Sequence, residues 1–153
     1  MKLSDILKKE YLITNLKAQD KKSVLKELVD IIVQNKQSID KESLVRVLLE
    51  REHLGSTGIG DGVAIPHGKF SGIDEPIISF GRCLKGLDFE SIDAQPVFLF
   101  FLLVAPENSA GIHLKALARI AKVLKNSSIR KILLEAESEE ELLKTIIQND
   151  EEF

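Results

Sequence analysis

The sequence predicts an α/β domain in which a mixed β-sheet carries helices on both faces. Three observations predict it. Apolar residues at helical spacing precede residue 53, give way to strand-like segments between 76 and 104, and return at helical spacing from 111 to 148. The segment VFLFFLLV (97–104) is apolar on both alternating faces, the pattern of a strand covered on both sides. Between the first helices and the strands lies STGIGDGVAIPHGK (56–69), whose four glycines suit neither a helix nor a long strand.

Taken in order, QDKKSVLKELVDIIVQNK (19–36) places Val24, Leu25, Leu28, Ile31 and Ile32 on one helical face, with Asp20 as N-cap. DKESLVRVLLERE (40–52) repeats the logic with Asp40 as cap and Leu44, Val47 and Leu48 inside. After the glycine-rich loop, PIISFGRC (76–83) reads as a strand, GLDFE (86–90) as a short edge strand and VFLFFLLV as the central strand. Helices follow at 111–125, 128–136 and 138–148, the last opened by a capping box of Ser138 and Glu141. No element is assigned before residue 19. One domain is expected over 1–153, with its core in about 3–148.

Composition narrows the function. A formal charge of -3 argues against nonspecific binding to nucleic acid or anionic lipid. The longest apolar run, 97–105, is too short for a membrane-spanning helix, and the N-terminal stretch lacks the pattern of a signal peptide. The single cysteine, Cys83, forms no intramolecular disulfide and reads as a small buried hydrophobe. A cytoplasmic protein is expected.

Glycines in the loop remove Cβ, so backbone N–H groups can approach an anion, and Ser56 and Thr57 add hydroxyl donors. The Lys-Ser/Thr ending of a nucleotide-binding loop is missing, and so is the spacing of the dinucleotide fingerprint. Pro66 stiffens the approach to His67. Two companions fit the same chemistry. Arg51, just before the loop, offers a planar fork to phosphate oxygens, and His113 opens the helix after the central strand, where backbone N–H groups favour an anion. Blander readings stand beside these: a loop that only turns a corner, a solvated His67, His113 as a core residue, Arg51 in a surface ion pair with Glu50 or Glu52, and His53 as a helix-end residue. The three histidines match no common zinc spacing, and no nucleophilic-serine elbow is present.

The string LLEREHLGSTGIGDGVAIPHGK resembles the signature of the enzyme IIA domain of the fructose–mannitol class in the bacterial phosphoenolpyruvate-dependent phosphotransferase system. Its pattern is an Arg-Glu pair, S-T-G-I-G, a short spacer and A-I-P-H; here these are Arg51-Glu52, Ser56 to Gly60 and Ala64 to His67. DFESIDAQPVFLFFLLVAP and HLKALARIAKVL are similar to later blocks, so the resemblance covers about residues 1–148. It implies a mixed sheet flanked by helices. It implies that His67 is phosphorylated by the phosphocarrier HPr or its nitrogen-branch relative, with Arg51 and His113 as supporting residues. Ser56, Thr57, Gly58, Ile59 and Gly60 would line the phosphate site, without metal or other cofactor. The N-terminal stretch looks most like the nitrogen-regulatory type, which implies regulatory target proteins. A sugar-specific component acting with a IIB partner is the alternative.

Overall fold

The computed structural model describes residues 2–150. Twelve elements follow one another among them: α1 (Leu3–Ile6), β1 (Leu7–Ile13), α2 (Lys21–Asn35), α3 (Lys41–His53), β2 (Gly58–Gly60), β3 (Val63–Ala64), β4 (His67–Phe70), β5 (Ile77–Leu87), β6 (Val97–Pro106), α4 (Ala110–Lys125), α5 (Ser127–Glu135) and α6 (Glu139–Gln148). The predicted helices form where the apolar period places them. Asp20 and Asp40 cap α2 and α3 by accepting from the backbone N–H of Ser23 and Ser43. Ser138 caps α6 by accepting from Glu141 N–H, but the Glu141 carboxylate accepts from Glu137 N–H, one residue before the cap.

The six strands form one mixed sheet in the order β1-β5-β6-β3-β2, with β4 also paired to β6. Strand β6 is central. Leu99, Phe101 and Leu103 enter the core under α1, α4, α5 and α6, while Phe100, Leu102 and Val104 enter the core under α2 and α3. That alternation explains why the segment carries no polar face. Strand β5 is antiparallel to β6, while β1 runs parallel to β5.

Three differences from the sequence reading stand out. Residues 86–90 form no separate strand, because β5 continues to Leu87 after a register shift between Arg82 and Leu87. A short helix and a strand occupy residues 3–13, where none was assigned. The glycine-rich segment holds three short strands. Strands β3 and β4 run one after the other along the same edge of β6, Val63 opposite Leu99 and His67 opposite Leu103, interrupted only at Ile65-Pro66. Proline fits there: it has no N–H to give, and its carbonyl accepts from Leu103 N–H at 2.9 Å.

Candidate functional site

His67 opens β4, so the short edge strand fixes its backbone against the centre of the sheet. Its Nδ1 lies 2.7 Å from the carbonyl oxygen of Ile65. A carbonyl can only accept, so Nδ1 carries the proton and Nε2 keeps its lone pair. His67 is half-buried, with Ile65 in the core beneath α4. Burial is the main reason its pKa falls below the usual 6.5; the Ile65 bond opposes that shift, nearby Arg51 reinforces it and Glu52 opposes it. The resting ring is therefore neutral at neutral pH.

His113 comes from the first turns of α4 and is only 8% exposed. Its ring centroid stands 5.4 Å from that of His67, with the planes tilted by 55°. Burial, then the His67 and Lys69 charges, lower its pKa too. Its Nδ1 is buried without a hydrogen-bond partner. The sequence left open a simple core histidine; the geometry sets it against His67. Ser109, the residue before α4, does not cap the helix with its side chain, because its hydroxyl donates to Pro106 O instead. The backbone N–H groups of the first turn are thus left for another acceptor.

Arg51 lies in the last turn of α3 and donates from Nη1 to Gly55 O at 2.9 Å. Among the described residues it pairs with neither Glu50 nor Glu52. Together with Thr57, Ile59, Ile65, His67 and Leu117 it lines a cleft of about 190 Å³. A larger groove of about 590 Å³ runs between α2 and α3, but neither His67 nor His113 lines it. His53 ends α3 and is exposed. Cys83 is buried on the α2–α3 side.

The loop donors are partly committed already. Thr57 N–H donates to Glu52 Oε1 at 3.1 Å, and Thr57 Oγ1 donates to Glu52 Oε2. Gly58 N–H donates to Ser56 Oγ, whose hydroxyl donates to Phe89 O, both at 3.0 Å. Glycine is required here first by backbone geometry. Asp61 and Gly62, at φ 58° and 76°, make the tight turn joining β2 to β3, a conformation that favours Asp-Gly. A Cβ on Gly58 would come within 2.9 Å of Ser91 Cα.

Glu52 is the residue whose structural role the sequence did not disclose. It is 7% exposed and also meets Lys21 Nζ at 3.0 Å. One buried carboxylate thus ties the start of α2 and the end of α3 to the loop preceding β2. Only the invasion of a helix end by an acidic residue five positions before a threonine hinted at it.

The chain matches the family model for the phosphoenolpyruvate-dependent sugar phosphotransferase system, EIIA 2, over residues 5–149. It is 39% identical over 150 residues to the "PTS system fructose-specific EIIABC component" of Bacillus subtilis, covering 98% of this chain but only 24% of that longer protein. It is 43% identical over 137 residues to a "Nitrogen regulatory protein" of Bradyrhizobium diazoefficiens, covering 87% of this chain and 86% of the relative. In three dimensions it is similar to the nitrogen regulatory protein IIA-Ntr of Neisseria meningitidis, at TM-score 0.88 and 33% identity over 94% of this chain and 98% of that one. With the model spanning nearly every described residue, the chain belongs to the EIIA 2 family of the phosphoenolpyruvate-dependent sugar phosphotransferase system.

Proposed function

We propose that this chain is a phosphocarrier that accepts a phosphoryl group on Nε2 of His67 from HPr or its nitrogen-branch relative. The observation that carries the reading is the Nδ1 contact with Ile65 O, which aims an unprotonated Nε2 away from the backbone. The Nε2 lone pair forms the new N–P bond as the donor's N–P bond breaks, and the breaking pair returns to the donor nitrogen. The Nδ1 proton stays on its bond to Ile65. With no proton to remove from the attacking nitrogen, catalysis reduces to alignment and charge stabilisation. Arg51, His113 and the first turn of α4 provide the stabilisation. Ser56, Thr57, Gly58, Ile59 and Gly60 frame the phosphate from the loop, Thr57 and Gly58 chiefly by holding its shape through their internal bonds.

The phosphoryl state serves regulation in this reading: it changes which partner proteins bind near His67. The 43% identity to a nitrogen regulatory protein and the likeness to IIA-Ntr support this. The 39% identity to a fructose-specific component favours a second reading, in which the group passes onward to a IIB partner during sugar uptake. The test of the carrier step is incubation with labelled phosphoenolpyruvate, enzyme I and HPr. Wild type takes up one acid-labile label and His67→Ala takes up none; full labelling of His67→Ala would overturn the assignment. Deleting the gene separates the two roles. Loss of uptake of one sugar, with no phosphorylation-sensitive partner recovered, would favour the sugar component.

A further inference from the structure

We propose that Lys69 is a phosphate-binding residue of this site, an ammonium left free in the resting protein that closes onto the phosphoryl oxygens once His67 carries them. The inference rests on the carrier reading above and deepens it.

Strand alternation sets where Lys69 points. Ile65 belongs to the core beneath α4, and His67 meets His113 of α4. Gly68 faces Val47 and Leu48 of α3, and Phe70 lies in the α2–α3 core. Lys69 therefore projects from the same side of β4 as His67, two residues on, about 7 Å along the strand. Its four-carbon stem spans that distance with no backbone movement. Lys69 is exposed, and among the described residues its ammonium makes no ion pair or hydrogen bond. Its charge is nonetheless felt at the buried ring of His113.

Charge balance gives the lysine its task. A phosphoryl group brings about 1.5 to 2 negative charges spread over three oxygens. Both rings in the resting site are neutral, and Arg51 supplies one positive charge from a guanidinium already bonded to Gly55 O. The Nδ1 of His113, in the ring beside His67, is buried without a hydrogen-bond partner, so one polar group next to His67 is unsatisfied. Lys69 supplies the second cation. Its bonds to the phosphoryl oxygens form after transfer, so it chiefly stabilises the phosphorylated product.

The experiment is the equilibrium of phosphoryl exchange between phospho-HPr and wild type, Lys69→Gln or Lys69→Arg, measured at low and high salt, with thermal unfolding as a control. Lys69→Gln lowers the equilibrium constant about tenfold, and Lys69→Arg restores most of it. The gap between wild type and Lys69→Gln narrows at high salt, because the contact is solvent-exposed; unfolding temperatures stay alike. A purely structural role for Lys69 would show neither the salt dependence nor the rescue. Equal equilibria for wild type and Lys69→Gln, both labelled on His67, would overturn the proposal while leaving the carrier reading intact. A wild type that takes label neither from phospho-HPr nor from its phosphorylated nitrogen-branch relative would overturn the carrier reading itself.

Discussion

Glu52→Gln tests whether one buried carboxylate holds the loop before β2 in place. The substitution keeps volume and removes charge. Glu52 accepts from Thr57 N–H, from the Thr57 hydroxyl and from Lys21 Nζ. A glutamine carbonyl can still accept from one of these. Its NH₂ then faces a second donor, and Lys21, whose side chain is only 18% exposed, loses its counter-charge. Two charge-assisted contacts at roughly 1.5 kcal/mol each give a loss of about 3 kcal/mol, near the low end expected for breaking a buried pair. For a chain of this length that lowers Tm by about 6–12 °C. Lys21→Met in the glutamine background removes the orphaned ammonium while keeping contact with the Phe89 ring, which lies 4.8 Å from Nζ, so the double variant recovers part of the loss. Urea and thermal unfolding followed by circular dichroism measure all four members of the cycle. Strictly additive losses, or a Glu52→Gln variant as stable as wild type, would refute the reasoning.

Arg82→Met should cost about 3–5 kcal/mol, because Arg82 donates to Thr14 O, Leu133 O and Ala136 O and its removal leaves carbonyls at the end of α5 unpaired; chemical denaturation measures it. Gly58→Ala should cost about 1–3 kcal/mol by forcing Ser91 away, and crystallography or amide exchange of residues 88–96 would show the shift. Stability should be flat above the usual histidine value of 6.5 and fall on the acid side. The pKa values of His67 and His113 are lowered on folding, so the unfolded chain binds protons first and stability is lost as pH drops through the depressed values. Urea midpoints across pH check this, and a rise in stability on acidification through that window would contradict it. His113→Gln should show a shallower acid loss than wild type.

Much of the fold was legible because it is local. The caps Asp20 and Asp40 sit where the sequence puts them, and the all-apolar run of β6 announces a two-sided burial. Strand β1 was not legible. Lys8, Lys9 and Glu10 are all exposed in succession, and a register shift separates Leu7 from Leu12, so no alternation survives. The strand read at 86–90 failed because Gly86, at φ 77°, looks like a boundary but lies inside β5. At the candidate site, His67, Arg51 and the Ser56–Gly60 string were visible as a pattern. The tasks of Glu52 and Arg82 were not. Glu52 meets Lys21, and Arg82 meets carbonyls 51 to 54 residues further on, so neither contact exists until the chain folds. Lys69 escaped notice because its significance lies in which side of β4 it occupies.

The two ends of the described chain are fastened together: the Asp150 carboxylate accepts from Leu3 N–H at 2.6 Å and pairs with buried Arg119 Nε at 2.8 Å. Leu7, just after α1, stands opposite Ile78, Ile78 opposite Leu103, and Leu103 opposite His67. Leu7, four residues after Leu3 of the clasp, thus lies in the same row of the sheet as His67, three strand spacings or roughly 14 Å to the side. Any module joined by a short tether at either end would be confined near His67 at a local concentration approaching millimolar. Exchange with such a neighbour would depend on tether length, and exchange with an untethered partner on diffusion. A single fold can therefore serve in both arrangements without altering a residue of its site.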